Sequence, residues 1–459
     1  MTVFQKLSAA WEEDNLLRRV VRNSSYLFGS NVISNGLGFL QGVIVARLVG
    51  VANLGTIAII IAFASNVNRL LSFRMSEVMV RHLAPALADD RKPEAAALVK
   101  AAGLTEAAVS MAAFLCVILL APWAAGFFAK DAHTAPWFVF YSLIVLVNLV
   151  NETSTGFLQA SHHFDRMARY NLFQAVLTFV LIVGTYVLYR WVFTAFLALY
   201  LVPAVLLAYL LGKTFYNFSL VALVLREMES TLGAGWWRTP LADLPGKRSL
   251  ALFALNTNLN GTVNLIFRDN IPLYLGFMLS PTAVGYFSLA LGLIPTLTLI
   301  LDPLIAPTYS EISRTLAAKQ WEITLRLLRR VTALAGGIVL AVAGFWALTG
   351  WWLIPFIYKP QARPVYPLLL ILLAGYGFAG IFQWNRSLML SLGKAGYPVL
   401  VSILTGVIEL ALIVSLVPHF GYLAMAAVLS GYFIVSIGLI SLRGVLEIRH
   451  RRLADVGAA

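Results

Sequence analysis

Long apolar runs follow one another along this chain, parted by short polar segments that hold most of its Lys and Arg. Runs of about twenty residues or more match helices that cross the hydrocarbon layer of a membrane. There the backbone must satisfy its own hydrogen bonds within each helix. The runs do not alternate apolar and polar residues, so the pattern of an outer-membrane β-barrel is excluded. The length rule predicts about twelve spans, at 24–48, 53–80, 99–128, 135–160, 170–189, 193–214, 250–278, 283–310, 328–356, 364–390, 396–417 and 420–442. The expected fold is all-α, a polytopic membrane protein of two six-helix lobes.

Composition agrees with that picture. Of 459 residues, 60% are hydrophobic and only 12% charged, against roughly half and a quarter in soluble domains. The net charge of +13 would raise the question of nucleic acid in a soluble protein. Here the cations sit in the segments between spans, no basic–aromatic module is present, and no nucleic acid is expected. With the amino terminus inside, the outer segments hold only Arg47, Lys130, Arg190, Lys359 and Arg363. The excess of Lys and Arg on the other side therefore predicts that both termini are cytoplasmic. The implied organisation is an amphipathic cytoplasmic leader (1–23), a first lobe (24–214), a cytoplasmic linker (215–249), a second lobe (250–442) and a basic cytoplasmic tail (443–459). The leader is expected to lie against membrane lipids.

The two halves repeat. "LVGVANLGTIAI" (48–59) parallels "MLSPTAVGYFSL" (278–289), with Gly55 falling on Gly285, an offset of 230. "APWAAGFFAKDAHTAPW" (121–137) parallels "GWWLIPFIYKPQARPVYP" (350–367), with Lys130 falling on Lys359. Each half carries an even number of spans, so the halves share one orientation and form a parallel repeat about an axis along the membrane normal.

Polar residues inside the runs are the candidate functional groups, because charge at membrane depth is costly and normally faces a cavity or a partner. The richest stretch is "NTNLNGTVNLIFRDN" (256–270) in the seventh span. Asn256, Asn260, Asn264 and Arg268 recur every four residues and follow one helical stripe. Amides both donate and accept, which suits hydroxyls, and a guanidinium forks onto phosphate. The stripe reads either as a path for sugars and phosphate or as interhelical hydrogen bonding. Arg74 and Glu77, three apart in the second span, either face a cavity or pair with each other. Asp302 stands beside Pro303 in the eighth span, where a carboxylate at a helix break is a candidate proton or cation site. Asp269, Arg386 and Glu409 join the candidates. Arg47, Glu152 and Glu106 are expected to reach for the nearest membrane face.

No metal-ligand spacing, phosphate-binding loop or dinucleotide fingerprint occurs, so no metal, no cofactor and no ATP hydrolysis are expected. Three classes compete: a transporter, a membrane glycosyltransferase or polymerase, and a structural or receptor-like protein. Every predicted outer loop is short, which argues against an enzyme working at that face. Duplication with buried charge in both halves favours a transporter over a structural role.

One resemblance carries further. "SYLFGSNVISNGLGFLQGVIVARLVGVANLGTIAIIIAF" (25–63) resembles the opening of Wzx-type oligosaccharide flippases, in the superfamily that also holds multidrug and toxin extruders and the lipid II flippase. The shared features are Ala46-Arg47-Leu48-Val49-Gly50 followed by Gly55. "RDNIPLYLGFMLSPTAVGYFSLALGL" (268–293) and "LIAPTYSEI" (304–312) resemble that family's seventh and eighth spans. The resemblance implies a non-enzymatic flippase in a prokaryotic cytoplasmic (inner) membrane. It would move a polyprenyl-diphosphate-linked oligosaccharide for cell-surface polysaccharide such as O-antigen or exopolysaccharide, by alternating access through a cationic cavity between the lobes. Arg268, Arg74 and Arg386 would neutralise the diphosphate, and Asn256, Asn260 and Asn264 would meet sugar hydroxyls. Asp269, Asp302 and Glu77 would couple transport to an ion gradient or pair with the cations. Polysaccharide polymerase or ligase machinery would be the partners of a monomer. A multidrug or cation exporter of the same superfamily is the alternative.

Overall fold

The structure is a computed structural model that describes residues 15–191, 200–241, 244 and 246–457, with side chains undescribed at 15–28, 247, 256, 257, 259–261, 263, 264, 454, 456 and 457. Among the described residues there are helices and no strands. Nine helical stretches there are long and apolar enough to cross a membrane. Two of them, Asn15–Leu71 (α1) and Gly396–Gly457 (α16), contain a break at Gly50 (φ 79°) and at Gly421 (φ 71°), so each holds two spans. Positive φ costs glycine nothing, which lets two spans join without a loop. The polar seventh span, Lys247–Asn264 (α8) continued by Ile271–Met278 (α9), completes twelve.

Several spans are interrupted, and the interruptions repeat. The second span stops at Leu71 and resumes as Met75–Ala88 (α2). Its counterpart, the eighth, is Pro281–Leu293 (α10), Pro295–Leu301 (α11) and Ile305–Ala317 (α12), with a 3₁₀ turn at Asp302–Leu304. The breaks at 72–74 and 302–304 are 230 residues apart, the offset already read from Gly55 and Gly285. The fourth span divides into Ala135–Val147 (α4) and Asn151–Ala160 (α5), and the tenth into Val365–Ile381 (α14) and Asn385–Ser391 (α15). A duplicated chain keeps its breaks at equivalent places, and this one does.

Packing groups the chain into two compact units. Unit 1 is Met1–Leu48, Ile60–Gly126 and Asp131–Leu265; unit 2 is Val49–Ile59, Phe127–Lys130 and Ile266–Ala459. The segment 215–232 is the continuation of one unbroken helix, Leu201–Leu232 (α7), and the unit boundary falls further on, at Leu265.

Unit 1 centres on Met79, Leu83, Phe157, Leu158 and Leu220, all fully buried. Alanines such as Ala86 and Ala95 let the helices approach closely there. Unit 2 has a core around Ile312, Trp384, Leu388 and Ile448. It also holds a crossing of the two repeats. A Cβ on Gly55 would lie 1.7 Å from the Pro281 carbonyl oxygen, and one on Gly285 would lie 2.0 Å from that of Val51. Residues 51 and 281, like 55 and 285, are repeat equivalents. The contact is therefore reciprocal, as at a two-fold interface, and only glycine fits on either side. Beside it Phe127 stacks on Phe277 at 4.4 Å, and the Lys130 Nζ donates to the Phe277 carbonyl at 2.7 Å.

Candidate functional site

Each helix break leaves N–H groups without partners on its C-terminal side. Unit 1 satisfies them with carboxylates. The buried Glu106, on Lys92–Phe127 (α3), accepts from the backbone N–H of Glu152 at 2.7 Å and of Thr153 at 2.8 Å. These two residues open α5. Glu152 in turn accepts from the Ser76 N–H at 3.3 Å and from its hydroxyl, at the start of α2. One acid thus caps the restart of the fourth span, and the residue it fixes caps the restart of the second. Negative charge at these positive helix ends is favourable.

The break in the second span opens a polar pocket of about 200 Å³. Arg69, Arg74, Glu77, Glu152 and Asn258 line it with Ser72 and Ser76. Arg74 and Glu77 pair at 2.9 Å. Asn258 reaches from the seventh span and donates to the Leu70 carbonyl at 3.4 Å, in the last turn before the break.

Where unit 2 resumes, the seventh span passes through a π-helical turn, Leu265–Asp269. Such turns recur at functional sites because they shift one residue out of helical register. The Tyr274 hydroxyl donates to the Ile266 carbonyl at 2.8 Å, within the turn. Phe267 is buried over Gly406, where a Cβ would come within 2.5 Å of its ring. With Phe267 anchored, Arg268 and Asp269 are exposed, and the Arg268 guanidinium lies 5.1 Å from the centre of the Phe433 ring. Glu409, buried, lines an apolar cavity of about 720 Å³ with Thr405, Leu412 and Tyr432. Neither of its carboxylate oxygens has a hydrogen-bond partner among the described residues.

The sequence candidates therefore divide. Arg74 and Glu77 meet in the unit 1 pocket. Arg268 and Asp269 stand on the π turn of unit 2. Asp302 is exposed on the 3₁₀ turn at Pro303, and Arg386 is exposed one residue into α15, just past the break of the tenth span. Asn256, Asn260 and Asn264 belong to α8, and their side chains lie outside the described residues. Two expectations need correction: Glu106 does not reach for the membrane face but is buried on two backbone N–H groups, and Glu152 is turned onto Ser76, because the helix breaks need acceptors there. The polar run Asn151-Glu152-Thr153-Ser154 was the available signal for the break of the fourth span. Arg69 and Asn258 were missed as pocket residues, since nothing local ties them together. Among the described residues no group of three His, Cys, Asp or Glu could hold a metal ion.

The family model described as polysaccharide biosynthesis protein matches residues 20–313. The chain belongs to this family. The chain is also similar to the inner membrane protein YghQ of Escherichia coli (strain K12), 24% identical over 158 residues. That match covers 34% of this chain and 44% of the relative, so the chain spans less than half of the curated relative's length. In structure this polysaccharide biosynthesis family member is similar to the lipid II flippase MurJ in its inward closed conformation, with TM-score 0.67, 14% identity and coverage of 94% of this chain and 93% of the other. It is similar also to an inward-facing multidrug resistance MATE family transporter, with TM-score 0.66, 15% identity and coverage of 91% and 95%. A third likeness is to a superfamily transporter from Pyrococcus furiosus, with TM-score 0.59, 14% identity and coverage of 94% and 95%. At these identities the likeness establishes the fold, the twelve-helix two-lobe fold of that superfamily.

Proposed function

We propose that this protein is a flippase that moves a polyprenyl-diphosphate-linked oligosaccharide across the cytoplasmic membrane, by alternating access, for cell-surface polysaccharide biosynthesis. One observation supports the reading beyond family membership. A membrane span passes through a π turn in which Arg268 is presented and not buried. An exposed guanidinium at that depth is costly unless it meets an anion, and guanidinium forks are well suited to phosphate. The isoprenoid chain would stay in the lipid while the diphosphate met Arg268 and the glycan met hydroxyl-binding groups. Both termini would face the cytoplasm, as the distribution of Lys and Arg directs, and the polymerase or ligase of the same pathway would receive the product.

A second reading has its own support. A carboxylate without a hydrogen bond among the described residues, Glu409, in a large apolar cavity and within the field of Arg268 is suited to a lipophilic cation, as in a multidrug exporter. One assay separates the two. The purified protein is placed in liposomes with a polyprenyl-diphosphate oligosaccharide, and exposure of the head group to an external glycosidase is followed beside uptake of a fluorescent organic cation. Glycan transfer that falls about tenfold or more in Arg268→Ala supports the flippase. Cation transport without glycan transfer transfers the protein to the exporter branch.

A further inference from the structure

We propose that the polar pocket at the break of the second span is a sugar-binding subsite, taking one monosaccharide ring of the glycan and not the diphosphate. The proposal rests on the flippase reading and refines it.

Charge decides against the diphosphate. The pocket is lined by two guanidinium groups, Arg69 and Arg74, and two carboxylates, Glu77 and Glu152. Arg74 is already matched by Glu77 at 2.9 Å. A diphosphate entering here would meet two like charges and find Arg74 already paired. A sugar ring has the opposite requirement. Each hydroxyl donates one hydrogen bond and accepts others, so it needs fixed acceptors and fixed donors side by side. The pocket supplies carboxylate oxygens from Glu77 and Glu152, guanidinium N–H groups from Arg69 and Arg74, and both kinds from the Asn258 amide.

Size and rigidity agree. A volume of about 200 Å³ lies below the roughly 300–1,000 Å³ of sites for whole drug-sized ligands, so it admits a ring and not an oligosaccharide. The wall is held in place by non-local bonds. Glu152 is fixed through its own N–H to Glu106 and through its carboxylate to Ser76, and Asn258 reaches the Leu70 carbonyl at 3.4 Å. Groups held in place before binding discriminate between hydroxyl patterns, because a misplaced hydroxyl leaves a donor or acceptor without a partner.

The test uses the full-length protein in nanodiscs and four probes: polyprenyl diphosphate without sugar, and the same lipid bearing a hexose, an N-acetylhexosamine or a 6-deoxyhexose. Binding is measured for the wild type, Glu77→Gln, Asn258→Ala and Arg268→Ala, each first shown to be monodisperse and folded. The wild type is expected to bind at least one sugar-bearing lipid about tenfold more tightly than the bare lipid. Glu77→Gln and Asn258→Ala should erase that preference and leave bare-lipid affinity unchanged. If the pocket instead holds the diphosphate, Glu77→Gln removes a repelling charge and bare-lipid binding strengthens, which overturns the proposal. Absence of preference across the whole panel overturns it too. Bare-lipid binding that depends on Arg268 keeps the flippase reading standing in either case, and failure of the wild type to bind any of the four lipids overturns both.

Discussion

Glu106 in unit 1 and Glu409 in unit 2 are both carboxylates in membrane helices, 4% and 2% exposed. Their surroundings could hardly differ more. Glu106 accepts two short backbone N–H bonds at a helix restart, whereas Glu409 faces an apolar cavity with neither oxygen bonded. The first is part of the scaffold: removing it would leave two buried donors unsatisfied. The second makes no hydrogen bond among the described residues, feels the positive charge of Arg268, and is costly to bury ionised. Burial alone therefore does not mark a functional acid in a membrane protein. The partner list does.

The largest expected effect breaks this comparison on the Glu106 side. Glu106→Ala should destabilise the protein by about 3–5 kcal/mol, the cost of leaving buried donors without their charged acceptor, read as a large fall in thermal unfolding temperature in detergent. An unchanged unfolding temperature would remove the capping role. Glu409→Gln comes next and carries the opposite sign. Stability should hold or rise by about 1 kcal/mol, since a buried carboxyl without hydrogen bonds is replaced by a neutral amide and the attraction to the exposed Arg268 offsets little of that burial, while transport falls; a stability loss as large as that of Glu106→Ala would make Glu409 structural. Glu152→Gln is the smallest of the three. Its amide oxygen still accepts from Ser76, so the loss should stay near 1 kcal/mol, and the same unfolding assay should place it well below Glu106→Ala.

The repeats show how much of this was legible. The break at Asp302 is written in the sequence, because Pro303 cannot donate to a helix. Its counterpart at 72–74, "SFR", contains neither Pro nor Gly, and it exists because Glu152 caps the helix that follows. The tenth-span break at 382–384 was equally silent. Arg74 and Glu77 were readable as a local pair from their spacing. Arg69 and Asn258 were not readable as their neighbours, since residues 69 and 258 are joined only by folding. The asparagine stripe was the most visible polar feature of the chain, and Pro272, which cannot bond the Arg268 carbonyl, marks an irregularity at its end; that this is a π turn, which sets where Arg268 and Asp269 point, was not readable.

The order of amino acids alone determines the class of fold here. Segment length and apolarity make membrane helices, and two glycines 230 residues apart reveal the duplication. These are local or additive properties, so they survive being read one residue at a time. Tertiary structure decided which buried carboxylates are held by hydrogen bonds and which are not, where the helices break without Pro or Gly, and which polar side chains share a pocket. Those outcomes depend on hydrogen-bond acceptors delivered from distant spans, and a helix end in a membrane can be left open only where such an acceptor arrives.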